Sequence, residues 1–215
     1  MENNFRIKVC GMRDPDNIMD VAALNPDFMG FIFYSQSQRY VGENFAIPGD
    51  FPKHIKRVGV FVDEKPYKIV QLIEKHKLDF VQLHGDESQY DCELLRIKAK
   101  VIKSFRIDPQ FNFNVTREFN SSADFFLFDT KGNGHGGIGK TFDWGLLKKY
   151  DKRTPFFLGG GLSVENIGQV NELKDSNLFS VDINSRAEIE PGLKDVNVLN
   201  TMFQILNQPS HEIHG

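Results

Sequence analysis

Lys8-Val9-Cys10-Gly11 closes a short apolar run, so Lys8 and Cys10 stand two residues apart on one face of a strand. A lysine charge beside a thiol favours the thiolate and draws the thiol below its reference pKa of about 8.5. That suits a general base or a nucleophile, although a small buried hydrophobe of the core would look the same in sequence. Phe125-Phe126-Leu127-Phe128-Asp129 ends a second run in an acid. At a strand tip Asp129 can exchange protons with a ligand, or bond the turn that follows through Thr130 and Lys131. A thiol and a carboxylic acid together make a proton-transfer pair, one group removing a proton and the other supplying one, as an isomerase requires. Cys92 lies in a helical stretch without such neighbours and reads as structural or exposed. Of the six histidines only His84 falls at a strand end, so no metal site is expected.

Two glycine- or serine-containing turns can hold an anion. Leu158-Gly159-Gly160-Gly161-Leu162-Ser163 lets backbone approach a ligand closely and puts N–H groups at the start of a helix that Ser163 would cap. Asp182-Ile183-Asn184-Ser185-Arg186 follows the last strand. The plainer reading is that these residues only shape tight turns. Arg39 sits in the loop after the second strand, where it can grip a carboxylate with two donors or remain a solvated surface charge. Gly134-His135-Gly136-Gly137-Ile138-Gly139 matches the dinucleotide pattern G-x-G-x-x-G by letter. That pattern needs a glycine directly after a strand, a helix opening inside it and an acid ending the next strand, and none of these conditions holds. No nicotinamide or flavin is expected.

The elements that would carry these residues recur along the whole chain. Apolar runs at 5–10, 28–33, 57–62, 80–84, 101–105, 125–129, 155–158 and 178–183 read as eight strands. Helical periods fall at 14–24, with Asp14 as cap and Pro15 in the first turn, and at 66–77, 87–97, 144–150, 163–173 and 193–206. Either Thr141 or Asp143 can cap the helix beginning near Trp144. Residues 111–119 form a weaker candidate, and in 43–54 Pro48, Gly49 and Pro52 allow one helical turn at most. Eight units in 215 residues, about 27 each, fit an α/β (βα)8 barrel with a short or irregular second helix; a doubly wound open sheet is the alternative. Side-chain alternation favours closure. Lys8 and Cys10 oppose Ile7 and Val9; Arg57, Gly59 and Phe61 oppose Val58, Val60 and Val62; Gln82 and His84 oppose Val81 and Leu83; Ser180 and Asp182 oppose Val181 and Ile183. A polar barrel interior near one rim explains all four strands.

A net charge of −3 spread without basic stripes or blocks gives no footprint for nucleic acid or membrane. The start Met-Glu-Asn-Asn-Phe-Arg has no signal-peptide core, and the two cysteines fit neither a disulfide framework nor a zinc spacing, so cytoplasm is the expected compartment. One domain over 1–207 and a loosely ordered tail over 208–215 complete the layout.

Taken in order, these segments resemble the phosphoribosylanthranilate isomerase family. The likeness runs from Lys8-Val9-Cys10-Gly11 through Gly30-Phe31-Ile32-Phe33-Tyr34, Ser37-Gln38-Arg39-Tyr40, Val81-Gln82-Leu83-His84-Gly85, Leu127-Phe128-Asp129-Thr130 and Gly160-Gly161-Leu162 to Pro191-Gly192-Leu193-Lys194-Asp195. The resemblance implies a TIM barrel that rearranges N-(5-phosphoribosyl)anthranilate to the 1-deoxyribulose 5-phosphate without cofactor or metal. By it, Asp129 is the acid, Cys10 the base and Arg39 the grip on the anthranilate carboxylate. Gly160, Gly161, Asn184 and Ser185 would cradle the phosphate, with His84 and Asp182 in support. It implies a small-molecule substrate and a monomer. Two positions depart from the family pattern. Ile138 replaces a hydroxyl residue, and Arg186 replaces a glycine, where it would be strained if φ is positive and otherwise adds charge to the phosphate site. The competing functions are a related barrel isomerase for an aminoimidazole carboxamide ribotide, which has a carboxylate in place of Cys10, and a silent sugar-phosphate-binding barrel.

Overall fold

The computed structural model describes residues 5–130 and 141–208. The Gly134–Gly139 pattern, Ile138, Lys131 and all but the first residue of the tail therefore lie outside the described residues. Eight strands form a closed parallel barrel in sequence order: β1 (Arg6–Val9), β2 (Phe28–Ile32), β3 (Lys56–Phe61), β4 (Phe80–Leu83), β5 (Lys100–Ile107), β6 (Phe125–Thr130), β7 (Phe156–Leu158) and β8 (Leu178–Ile183). Closure is direct, because β1 pairs with β8 in register from Arg6–Ser180 to Val9–Ile183. The open-sheet alternative falls with that pairing.

Helices α1 (Pro15–Ala23), α2 (Pro66–His76) and α3 (Gln89–Arg96) cover the outside, and α4 (Val196–Asn207) ends the described chain. Asp14 caps α1, its carboxylate accepting from the Asn17 amide at 2.8 Å, with Pro15 first in the helix. The second barrel helix is missing, as Pro48, Gly49 and Pro52 lead one to expect. Turns at Pro48–Phe51 and Pro52–Ile55 replace it, and Phe45 and Phe51 pack their rings 5.4 and 6.2 Å from Phe31. Phenylalanines thus cover β2 where a helix would otherwise lie.

Several expected helices take other forms. Phe113–Phe119, Trp144–Lys149 and Ile167–Ser176 are 3-10 helices. Gly145 and Gly168 weaken the α form, and side chains compete for the backbone: Asp143 accepts from the Gly145 amide at 2.8 Å and Asn171 donates to the Gly168 carbonyl at 3.0 Å. Ser163 does not cap a helix directly. Its carbonyl accepts from Asn166 and Ile167 at 3.2 and 2.9 Å, and a turn separates the glycines from the helix. Glu87 lies ahead of α3, which Ser88 caps in a capping box with Asp91. The expected helix at 193–206 begins instead at Val196. Leu193–Lys194 (β10) folds back antiparallel on Glu188–Glu190 (β9), and Asp195 caps α4.

The barrel interior is filled from the bottom. Phe28, Val58, Phe80, Ile102, Leu127 and Phe157, one from each of β2 to β7, form a buried cluster at the N-terminal end of the barrel. Phe28 stands edge-on to Phe80 and Phe157, each at 5.3 Å. Above them Cys10, Ile32 and Val60 make a smaller cluster. In β3 the alternation misleads: Val58 and Val60 face the interior, while Phe61 packs into the outer core and Arg57 lies over the Phe51 ring at 5.1 Å. A polar residue at the start of a strand reaches solvent on the outer face as readily as it enters the barrel.

Candidate active site

The C-terminal mouth of the barrel holds a cleft of about 780 Å³, the open solvent at its entrance included. Cys10, Asp129, Arg39, His84, Asp182, Gly160, Gly161, Asn184 and Ser185 all line it, so the strand-end logic brings every expected site residue to one place. Ile32 and Val60 add an apolar wall, and Tyr34, Ser37, Gln82 and Arg186 complete the rim.

Cys10 lies just past the end of β1, its amide donating to the Ile183 carbonyl at 2.9 Å. Its sulfur rests on the β2 backbone at Gly30, where an added Cβ would come within 2.7 Å. Lys8 is fully buried beneath it and donates to Asp182 at 2.8 Å across the β1–β8 seam. Burial works against the Lys8 ammonium, but Asp182 and the Cys10 sulfur outweigh it and hold Lys8 above the ordinary lysine value. The expectation that Lys8 draws the thiol down needs correction. Burial, the largest influence, pushes the Cys10 thiol up; Asp182 adds to this, and Lys8 offsets only part of it. Cys92, also buried, is pushed up to about 12 chiefly by burial and is structural, on the outer layer in α3.

Asp129 is the last residue but one of β6. Its Oδ1 accepts from the Thr130 amide at 2.7 Å, and its Oδ2 lies 3.5 Å from His84 Nε2. Gln82 Nε2 is 2.9 Å from His84 Nδ1. With the Gln82 amide as donor, Nδ1 accepts and the imidazole proton sits on Nε2, facing Asp129. Gln82, 2 % exposed, is a residue the sequence reading passed over, although its spacing from His84 put both on one strand face.

Gly160 and Gly161 have φ of +83° and +70°. A Cβ on Gly160 would lie 2.5 Å from the Thr130 nitrogen and 2.7 Å from Asp129 Oδ1, so only glycine lets this turn rest against the acid. Among the described residues nothing accepts from the Gly160, Gly161 or Ser185 amides. Arg186 lies in the 3-10 turn Ser185–Ala187 without a positive φ, so the conditional strain does not arise and its charge borders the cleft.

Arg39 is fixed by a residue the sequence reading did not select. Glu188 accepts from Arg39 Nε at 2.9 and 3.0 Å and from Nη2 at 2.6 Å. This occupies the Nε–Nη2 edge of the guanidinium and leaves the Nη1–Nη2 edge with donors for a second carboxylate. Lys194 also binds Glu188, at 2.6 Å, and reaches Asn184 Oδ1 at 2.8 Å. The dipeptide Pro191-Gly192 is the turn signal that marks this hairpin in the sequence, but the helical period from Leu193 onward masks it.

A closed (βα)8 barrel with a thiol, an acid, an arginine and backbone amides around one mouth is the framework of a barrel enzyme for a small anionic ligand. Residues 7–205 match the family model of N-(5'-phosphoribosyl)anthranilate (PRA) isomerase. The N-(5'-phosphoribosyl)anthranilate isomerase of Parabacteroides distasonis is 42 % identical over 211 residues, covering 96 % of this chain and 95 % of its own. The crystal structure of phosphoribosyl anthranilate isomerase from Thermotoga maritima, 32 % identical, superposes with a TM-score of 0.86 over 94 % of this chain and 98 % of that one. That enzyme is dimeric, and monomers generated from it, 28 % identical, superpose at 0.82 over 96 % and 100 %. A family structure in complex with reduced 1-(o-carboxyphenylamino)-1-deoxyribulose 5-phosphate, 29 % identical, gives 0.82 over 94 % and 98 %. The chain belongs to the N-(5'-phosphoribosyl)anthranilate isomerase family, and it is an isomerase of tryptophan biosynthesis.

Proposed function

We propose that Asp129 and Cys10 are the acid and base of an Amadori rearrangement of N-(5'-phosphoribosyl)anthranilate. The observation that carries this reading is that the two groups, on β6 and β1, line one cleft whose remaining polar residues suit a carboxylate and a phosphate. Asp129 gives its proton to the ribose ring oxygen as the C1–O bond breaks, and the anthranilate nitrogen supplies the electrons for a Schiff base. The Cys10 thiolate takes the C2 proton, and the C2–H electrons form the enolamine double bond. C1 then takes a proton back from the Cys10 thiol while the C2 hydroxyl gives its proton to Asp129 and becomes the ketone. This restores both groups and yields 1-(2-carboxyphenylamino)-1-deoxyribulose 5-phosphate, an isomer of the starting compound, so no oxidant or reductant is consumed.

The open Nη1–Nη2 edge of Arg39 grips the anthranilate carboxylate, and the amides of Gly160, Gly161 and Ser185, with Asn184, take the phosphate. The small-molecule ligand of the family complex, which carries both anionic groups, supports this division of the cleft. His84 orients Asp129, and Asp182 holds Lys8 beneath Cys10. Every group given a role above belongs to one chain, so the site as proposed calls on no residue of a second copy. No helix among the described residues is long and apolar enough to cross a membrane, and a biosynthetic role suits the cytoplasm.

The test is conversion of freshly prepared N-(5'-phosphoribosyl)anthranilate, with substrate and product separated by chromatography. Turnover supports the reading. Saturable binding without turnover identifies a silent barrel and overturns it.

A further inference from the structure

We propose that Glu188 and Lys194, on the β9–β10 hairpin, are positioning residues that set the two ends of the substrate site together. Glu188 aims the Arg39 guanidinium, and Lys194 holds Asn184 of the anion turn. This inference rests on the division of the cleft given above.

The hairpin is built for rigidity. Asn17 of α1 clasps its second strand from both sides, donating to the Lys194 carbonyl at 3.0 Å and accepting from the Lys194 amide at 2.8 Å. Asp195 N donates to the Ala187 carbonyl at 2.9 Å, and Gly192 turns the chain at a φ of +89°. From this base two side chains reach inward, Lys194 with its side chain 0 % exposed and Glu188 with 4 %. The Glu188 carboxylate receives three hydrogen bonds from Arg39, one from Lys194 and one from the Gly192 amide. The Lys194 ammonium divides its donors between Glu188 and the Asn184 carbonyl and side chain. Beyond the hairpin itself, the residues that the two side chains bind, Arg39 and Asn184, both line the cleft.

The pair also reaches the neighbourhood of the thiol. Gly11, next to Cys10, has a φ of +80°, and a Cβ there would meet Asn184 Oδ1 at 2.7 Å and Arg39 Cδ at 2.8 Å. Arg39 and Asn184 therefore flank the backbone that carries Cys10, and the hairpin holds both. Two cations share one carboxylate, which leaves a surplus positive charge that a ligand anion can balance. A buried pair serving stability alone needs no contact with the cleft and no surplus. Fixing the Nε–Nη2 edge of Arg39 on Glu188 makes the other edge a pre-oriented fork, and pre-orientation improves binding by reducing what the ligand must order.

The experiment compares Glu188→Gln, Lys194→Met and the double variant with the wild type. Binding of reduced 1-(o-carboxyphenylamino)-1-deoxyribulose 5-phosphate and of ribulose 5-phosphate, which lacks the carboxyphenyl group, is measured by calorimetry. Steady-state KM and kcat are measured alongside. Glu188→Gln is expected to weaken the carboxyphenyl compound about tenfold or more and ribulose 5-phosphate less than threefold. Lys194→Met weakens both. In each variant KM rises by a larger factor than kcat falls, and Glu188→Asp restores part of the loss. The double variant removes both charges, so it keeps the test open if a single variant fails to fold. A folded double variant with wild-type KM, or equal weakening of both compounds by Glu188→Gln, would overturn the proposal. Failure of the wild type to bind the carboxyphenyl compound would instead overturn the underlying division of the cleft.

Discussion

Lys8 and Asp182, 174 residues apart in sequence, meet at 2.8 Å across the seam that closes the barrel. The lysine is fully buried and the carboxylate nearly so, and together they form the floor under Cys10. Removing one partner leaves a buried charge uncompensated, which costs about 3–5 kcal/mol. Lys8→Met and Asp182→Leu should each lose that much in urea unfolding, and the double variant should lose less than either. A loss below about 1 kcal/mol in the single variants would mean that water reaches the pair.

The Cys10 thiol is raised by burial despite the nearby ammonium, so it is protonated in the free enzyme near neutrality. Difference absorbance of thiolate near 240 nm, wild type against Cys10→Ser, should show no Cys10 thiolate below about pH 8.5, the reference value for cysteine. Because Cys10 must be deprotonated to act as the proposed base, kcat/KM should climb with pH, about tenfold per unit when only this ionisation limits it. A thiolate already present at pH 7 would contradict this.

Gly160 abuts both Thr130 and Asp129 at a φ that disfavours other residues. Gly160→Ala should cost about 1–3 kcal/mol of stability. It should also displace the Asp129 carboxylate, lowering kcat by more than tenfold. Wild-type kcat in a folded variant would mean that the turn does not set the proposed acid.

Much of this site was legible because a parallel strand in a covered barrel should be apolar throughout. A thiol, a histidine or a carboxylate near the strand's C-terminal end, as at Cys10, His84 and Asp129, therefore stands out. The same rule fails in β3, where Arg57, second in the strand, turns outward onto Phe51. What separation in sequence hides is pairing. Nothing near Lys8 announces Asp182, and nothing near Arg39 announces Glu188, so the lysine was credited with an effect on the thiol that its buried partnership and the thiol's own burial outweigh. The 3-10 helices escaped because glycine and asparagine act locally at Gly145, Gly168 and Asn171, below the resolution of hydrophobic period.

Cys92 links stability to pH. Its folded value, about 12, exceeds that of an exposed thiol, so the folded state keeps a proton that the unfolded chain has lost. The contribution is complete below about pH 8.5 and is lost as pH rises towards 12, by up to about 1.4 kcal/mol per unit. Urea unfolding of Cys92→Ala between pH 8.5 and 10.5 should show a shallower decline than the wild type. Parallel curves would place the thiol in contact with solvent.

The most direct measurement is turnover of N-(5'-phosphoribosyl)anthranilate by Cys10→Ala and Asp129→Asn, each with the affinity of the reduced carboxyphenylamino-deoxyribulose phosphate as control. Loss of a positioned acid or base costs about 10²–10⁴-fold in rate. Both variants should fall by that factor while binding the compound within about threefold of the wild type, since neither group is assigned to its carboxylate or phosphate. A rate within tenfold of wild type in either variant would contradict the acid-base pair.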